Sequence, residues 1–375
     1  MVDFKKMTAS YTLHALKTEA DISQWTNFCA SCFSYKANPP PSSYFGRHFF
    51  NDPSRDANLI RVMKYNEEIV ASTRVFSRQI SLGNGQKCEA GGIGEVCTHS
   101  QHRRKGLAKQ LLHNAIDAMK SRSSPKMKCS LLHASPALTQ VYERSADYRA
   151  VTSYWSLLPL DADSIRMEQY TPGTGFHVRL ASFPNDTNSL QQIHQEYSEH
   201  RFAGCIIRSV EYWNEYLSPE IGDSLHVLVR GDNEDGDSRA KENIVAWMSV
   251  RQRYDVRLQL RDFGCDRSYI GTLRAFPMLL NKVLLGQGLL NDDGASKALE
   301  LHIPTEVLKE MQQEGLNESD EWVQWSRGVT EENDVGWMYK SLHESEVQGG
   351  DDLVDMQHIV EEMKVPHLIW PADSF

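Results

Sequence analysis

Between Gly106 and Lys120 the apolar residues Leu107, Leu111, Leu112, Ala115, Ile116 and Met119 recur at helical spacing. Lys109, Gln110, Asn114 and Asp117 fall on the opposite side, so the pattern predicts an amphipathic helix packed on a sheet. Upstream, two long strand-like runs, 69–82 and 86–98, flank Gly83-Asn84-Gly85. An Asn-Gly pair readily takes the positive backbone angles of a tight turn, which makes this the clearest hairpin in the chain. A strand at 11–18 precedes it, followed by a helix capped by Asp21 that carries Trp25, Phe28, Cys29 and Phe33 and ends at Pro39-Pro40-Pro41. An aromatic segment at 44–50 stops at Asp52-Pro53, and a strand at 58–64 leads into the hairpin. After the turn at 121–125 come a strand at 127–133, a short helix at 138–145 and a strand at 150–158. The order is strand, two helices, a three-strand meander, helix, strand, helix, strand. It predicts a mixed, mostly antiparallel α/β sheet flanked by helices, with one parallel junction where the chain crosses over through the 106–120 helix.

Residues 159–175, with Pro159, Asp161, Asp163, Pro172 and Gly173, read as a linker. Beyond it the pattern restarts: strand 176–180, helices 189–199 and 210–217, strands 225–230, 244–253 and 257–265, and helix 272–285. The acidic stretch 231–237 reads as a solvated hairpin loop. This repeats the element order of the first lobe without its glycine-and-arginine turn, so it reads as a degenerate second copy that does not bind cofactor. The tail supplies a strand at 298–303, a helix at 306–313, a strand at 335–342, an acidic helix at 351–363 and the aromatic terminal run 366–375. The domain reading is 1–160, 161–290 and a C-terminal segment 291–375 packed on both lobes.

Composition narrows the class. With 375 residues, 40% of them hydrophobic, there is apolar material for two cores. No run approaches the roughly 18 apolar residues of a membrane span, and the N-terminus lacks the layout of a signal peptide, so a cytoplasmic protein is expected. The seven cysteines are scattered, only Cys29 and Cys32 falling close together on one helix face, and neither a disulfide framework nor a metal site is expected. The net charge of −10 argues against a sequence-independent grip on nucleic acid and is compatible with a cationic acceptor. Oligomeric state is not legible.

The chemistry concentrates between the strand ending near Thr98 and the helix beginning near Gly106, in the run Gln101-His102-Arg103-Arg104-Lys105-Gly106-Leu107-Ala108. The first turn of a helix has unpaired N–H groups and the positive end of the macrodipole, which suit a pyrophosphate. Small residues at 106 and 108 let the backbone approach phosphate oxygens, and Arg103, Arg104 and Lys105 add charge at the rim. This Arg103-x-x-Gly106-x-Ala108 run resembles the Gln/Arg-x-x-Gly-x-Gly/Ala signature of the GNAT acetyltransferases. The longer run GGIGEVCTHSQHRRKGLAKQLL is similar to the two-arginine form in the enhanced-intracellular-survival acetyltransferases and the fungal lysine N6-acetyltransferases. The resemblance covers 11–158. It implies a GNAT fold followed by a degenerate GNAT-like lobe, acetyl-CoA as co-substrate, and pantetheine alongside the main chain of Val96, Cys97 and Thr98 where the fourth and fifth strands splay. The pyrophosphate would lie on Arg103, Arg104, Lys105, Gly106, Leu107 and Ala108.

The family places a tyrosine on the helix after the fifth strand, and this chain has Tyr142-Glu143-Arg144-Ser145-Ala146-Asp147-Tyr148, with Asp147-Tyr148 in place of the family's Gly-Phe. A phenol there can protonate the departing thiolate. The attacking amine must lose a proton, for which Glu95, His133, a chain of waters, or a carboxylate of the docked tail, that of Phe375 or of Asp373, are candidates. The implied function is an N-acetyltransferase acting on a small cationic amine such as free lysine by direct attack. A protein N-acetyltransferase and a non-catalytic acyl-CoA-binding module are the alternatives.

Overall fold

The computed structural model describes residues 10–160, 175–231, 243–254, 257–286, 288, 299–315, 328–343 and 354–373. The first lobe opens with β1 (Tyr11–Ala15), α1 (Glu19–Cys32) and α2 (Ser42–Phe50), then β2 (Ile60–Tyr65), β3 (Glu68–Gly83) and β4 (Gln86–Thr98). These are followed by α3 (Leu107–Ser121), β5 (Cys129–His133), α4 (Thr139–Ala146) and β6 (Arg149–Ala150). Helix α1 begins two residues before the expected Asp21 because Thr18 is its cap. The Thr18 hydroxyl accepts from the Asp21 N–H at 3.1 Å while the Asp21 carboxylate accepts from the Thr18 N–H at 3.0 Å, a reciprocal capping box. Asn84 and Gly85 take φ of 53° and 76°, as the β3–β4 turn requires.

The second lobe contains β7 (Trp155–Leu160), β8 (Phe176–Leu180), β9 (Ala203–Ile206), β10 (Leu225–Arg230), β11 (Asn243–Tyr254), β12 (Arg257–Cys265) and β13 (Leu299–Pro304), with helical segments at 187–199 and 212–221. Helices α5 (Thr272–Gly286) and α6 (Thr305–Gly315) and short strands β14 (Thr330–Glu331) and β15 (Trp337–Ser341) complete it. One sheet runs β1-β2-β3-β4-β5-β15-β6, with β9 on the far part of β3; the other runs β14-β7-β13-β12-β11-β10-β8. Within each sheet one neighbour pair is parallel, β4 with β5 and β12 with β13, each joined by a crossover through a helix.

Two strands lie across the lobes from where sequence order puts them. The strand expected at 150–158 divides: Arg149–Ala150 stays in the first sheet, while Trp155–Leu160 enters the second sheet antiparallel to β13. Strand β15, from the tail, takes the place beside β5, pairing Trp337 with His133 through Ser341 with Cys129. The burial of β7 accounts for its position: Trp155, Ser156, Leu157 and Leu158 are all buried, so both faces want cover and an interior place in a sheet supplies it. Strand β9 carries no clear alternation and is missed by sequence reading; it bridges the lobes by pairing Ile206 with Ile80 and Ala203 with Leu82.

Helix α3 lays Leu112, Ala115, Ile116 and Met119 against Val75 and Ile93 on one face of the first sheet. On the other face Trp25, Cys29, Phe45 and Phe49 of α1 and α2 pack with Ile60 and Val62. The tail run docks as its composition implies: Leu368, Ile369, Trp370, Ala372 and Asp373 are buried, and Trp370 Nε1 donates to Ser198 Oγ at 3.0 Å.

Candidate active site

Strands β4 and β5 pair from Ala90–Cys129 to Ile93–Leu132 and then separate. Beyond that point β5 continues with β15, while β4 stays on β3, so among the described residues no strand pairs with β4 past Ile93 on its β5 side. A bulge adds to the divergence. Ser72 faces Cys97 and Arg74 faces Gly94, two steps of β3 against three of β4, and Glu95 in the bulge holds φ at 54°. A left-handed conformation in a residue with a side chain is costly and marks functional positions.

The turn after β4 brings Arg104 and Gly106 to φ of 62° and 75° before α3 begins at Leu107. A Cβ at Gly106 would find only Gln110 Nε2, at 4.0 Å, so the backbone angle and the open space in front of it, rather than packing, call for glycine. The α3 N-terminus has no side-chain cap and no acidic residue in its first turn. Its positive end therefore faces a cavity of about 610 Å³ lined by Val96, Cys97, Thr98, Arg103, Arg104, Gly106, Leu107 and Ala108, with Tyr142 opposite. These residues fit acetyl-CoA: an open strand edge for the pantetheine amides and an unneutralised helix terminus for the pyrophosphate.

Of the nine cofactor residues expected, Lys105 alone is not on this wall; its ammonium donates to Tyr11 Oη at 2.7 Å and sits over that ring. Cys32, Phe33 and Tyr35, at and beyond the end of α1, do line the cavity. Sequence order gave no signal for them, because a helix some 65 positions upstream reaches β4 only through the sheet topology.

Tyr142 lies on the cavity wall, and burial raises its pKa, so the phenol keeps its proton at neutral pH. Glu95 is not on this wall. Its side chain, 9% exposed, lies on the α2 face of the sheet, 3.7 Å from Arg74 Nη1. Burial pushes its carboxyl up to about 7, against the opposing charge of Arg74 and with a further push from Asp52. Asp52 in turn accepts from Arg74 Nη2 at 3.1 Å and Arg78 Nη1 at 3.0 Å. The second lobe covers this region: Tyr216 Oη meets His48 Nδ1 at 3.0 Å and Glu220 accepts from Arg47 at 3.1 Å. Tyr44, whose ring lies 4.2 Å from that of His48, has its pKa raised by burial and by the negative charges of Glu220 and Glu95.

His133 is turned from the cavity toward β15, its Nε2 held by Asp334 at 3.0 and 3.1 Å and its ring edge-on to Trp337. Phe375 lies outside the described residues. Asp373 is fully buried, both of its oxygens accepting from Arg208, whose Nη1 also donates to Asp262 at 2.7 Å.

In the second lobe β12 and β13 likewise pair over a short stretch, Arg257–Glu300 to Gln259–His302, and then part. The N-terminus of α5, in the position matching that of α3, receives the carboxylate of Glu314, and the Trp247 ring leaves no room for a side chain at Gly264.

A model of the GNAT acetyltransferase domain matches residues 15–146. A search of the curated proteins returns no match. Among solved structures, a GCN5-related N-acetyltransferase from Anabaena variabilis is 14% identical, with 89% of this chain and 73% of that one covered and a TM-score of 0.59. A probable N-acyltransferase from Enterococcus faecalis is 10% identical over the same shares, with a TM-score of 0.60. Eis1 from Mycobacterium abscessus is 11% identical, with 89% and 74% covered and a TM-score of 0.54. At these identities the structural likeness speaks for the fold, and the domain match at 15–146 speaks for the chemistry. The chain is an acetyl-CoA-dependent acyltransferase whose residues 15–146, in the first lobe, match the GNAT acetyltransferase domain.

Proposed function

We propose that the enzyme acetylates a small cationic amine, free lysine being the leading case, by direct attack in a ternary complex, with Glu95 as base and Tyr142 as acid. The observation that carries this reading is Glu95: a carboxyl at the strained bulge of β4, 9% exposed and roofed by α2 and the second lobe, with its pKa near 7. A base matched to neutral pH suits removal of a proton from an ammonium. The His48–Tyr216 and Arg47–Glu220 contacts, which bring the second lobe over α2, favour a compact amine over a peptide strand.

The chain's residues would divide the work as follows. The α3 N-terminus with Arg103 and Arg104 fixes the pyrophosphate, and the main chain of Val96–Thr98 aligns the pantetheine, which directs the thioester into the gap between β4 and β5. Glu95 takes a proton from the ammonium; the freed nitrogen lone pair bonds to the acyl carbon as the carbon–sulfur bond breaks. Tyr142 gives its proton to the departing sulfur; the second proton, which the nitrogen loses on becoming an amide, restores the phenol, and Glu95 releases the first to solvent. Acetyl-CoA supplies only the activated acyl group.

Release of free thiol from acetyl-CoA in the presence of free lysine, a polyamine and lysine-containing peptides tests the reading. The expected result is kcat/KM for free lysine at least about 100-fold above that for peptides, as a closed site that must expel part of a larger substrate implies. A peptide preference would overturn the small-amine assignment, and cofactor binding without thiol release from any amine would overturn catalysis itself.

A further inference from the structure

Three cysteines meet where the end of α1 lies against β4. Cys29 and Cys32 stand one turn apart on α1, and Cys97 on β4 packs against the core cluster that holds Cys29 and shares a cavity wall with Cys32. Cys29 is buried in the core between α1 and the sheet, whereas Cys32 and Cys97 are half-buried and line the acetyl-CoA cavity. The sulfurs of Cys88 and Cys129, 3.9 Å apart, are buried away from that cavity.

The two cavity thiols are not equivalent. The hydrogen bond from Cys97 lowers the pKa of Cys32 in spite of its partial burial, and the nearby Arg103 guanidinium acts in the same direction. The same contacts, with Cys29 and then Cys32, push the thiol of Cys97 well up, and burial adds to the effect. A cysteine open to a cavity with a lowered thiol pKa, and a second cysteine on the same wall, is the arrangement of an attacking and a resolving pair.

We propose that Cys32 and Cys97 are a modification site, a thiol pair that a peroxide converts to a disulfide in the wall of the cofactor-free cavity, and that bound acetyl-CoA shields it. The Cys32 thiolate attacks one oxygen of hydrogen peroxide and breaks the O–O bond, giving a sulfenic acid and hydroxide, which takes up a proton to become water. The Cys97 thiol then attacks that sulfur, loses its proton and expels a second water. Both sulfurs are oxidised by one electron each and the peroxide is reduced. The bond pins the end of α1 to β4 at the residue whose main chain borders the pantetheine path, so the oxidised enzyme loses cofactor affinity until a dithiol reduces it. The inference rests on the cavity being the acetyl-CoA site; it is independent of which amine is acetylated and of the roles of Glu95 and Tyr142.

The full-length protein is treated with hydrogen peroxide, with and without acetyl-CoA, which has no free thiol of its own. Thiols are then blocked and disulfide-linked peptides read by mass spectrometry without reduction, alongside the activity each protein retains relative to its own untreated sample. The expected product is a Cys32–Cys97 link with loss of two hydrogens, formed in step with the loss of activity and reversed by dithiothreitol. The link persists in Cys29→Ala and is absent in Cys32→Ser, whose activity resists peroxide. Acetyl-CoA at a hundred times its Kd leaves about 1% of cavities open and slows the reaction by about 100-fold. Activity lost while Cys32 and Cys97 remain free, or a link that uses Cys29 in place of Cys32, would overturn the pair. A Cys32–Cys97 link that forms at the same rate with acetyl-CoA bound would uphold the pair and overturn the shielding, and with it the placing of the cofactor in this cavity.

Discussion

The carboxylate of Glu314 accepts hydrogen bonds from the main-chain N–H groups of Thr272, at 3.1 Å, and Leu273, at 2.8 Å. It thus fills, from within the chain, the helix terminus that in the first lobe is left open at Gly106 and Leu107. Gly271 makes room for it, since a Cβ there would stand 2.5 Å from Glu314 Oε2. The two lobes share a splayed parallel strand pair joined by a crossover through a helix, and a single carboxylate separates an open helix terminus from a capped one.

Glu314→Ala removes the acceptor of two N–H groups and a charge favourable to the helix dipole, so we expect a loss of about 1–2 kcal/mol in stability. Thermal or urea unfolding measures it. Affinity for acetyl-CoA should stay unchanged, because the open terminus is in the other lobe; a matching loss of affinity would place cofactor in the second lobe.

Gly106→Glu puts a side chain on a residue with φ of 75° and a negative charge in front of the α3 N-terminus. Cofactor binding by calorimetry should vanish while circular dichroism shows the fold retained. Unchanged affinity would remove this turn from the cofactor site.

Tyr142→Phe keeps the ring and deletes the proton. Turnover should fall by roughly 10- to 10⁴-fold with little change in affinity for acetyl-CoA. Because burial raises the phenol's pKa, the wild-type rate should show no fall below the ordinary tyrosine range that can be traced to this group. An unchanged turnover number would take Tyr142 out of the mechanism.

Glu95 links activity and stability to pH with opposite signs. As a base it must be ionised, so kcat/KM should rise with pH through a limb near 7, and Glu95→Gln should abolish that limb and cost about 10²- to 10⁴-fold in turnover. In the unfolded chain the carboxyl ionises near 4.5, so between 4.5 and about 7 the folded protein holds a proton that the unfolded chain has released. Stability contributed by this group is therefore full below that window and is lost as pH rises through it. Glu95→Gln should accordingly gain on the wild type in melting temperature as pH is raised from 5 to 8. Parallel melting curves of the two proteins would contradict the raised pKa.

Asp373→Asn weakens a buried ion triad in which Arg208 bridges Asp262 and Asp373 at 2.7 Å each. Removing one partner of a buried pair costs about 3–5 kcal/mol, so stability should fall well before any effect on cofactor binding is seen. The oxygens of Asp373, one of the tail carboxylates considered as base, are committed to Arg208. Thermal unfolding of the Asn variant at constant activity per folded molecule would bear this out.

Local patterns made much of this protein legible from its sequence. The apolar spacing of α3, the Asn84-Gly85 turn and the helix-opening Arg103-x-x-Gly106-x-Ala108 run each encode their geometry within a few residues, because helix faces, hairpin turns and N-terminal anion sites are set by short-range sterics and hydrogen bonds. Glycine at 106 is read from the sequence as room for close approach to phosphate; its left-handed angle is seen only in the structure. The tertiary structure alone decided which strands pair across the lobes. An alternation of side chains fixes the face a strand buries but not its neighbour, so nothing local sends Trp155–Leu160 to β13 or brings Trp337–Ser341 to β5. It also decided the electrostatics: the raised pKa of Glu95, the commitment of His133 to Asp334, the triad on Arg208 and the meeting of Cys32 with Cys97. Each of these depends on desolvation and on charges or thiols that are distant in the chain, and those become neighbours only when the sheets close.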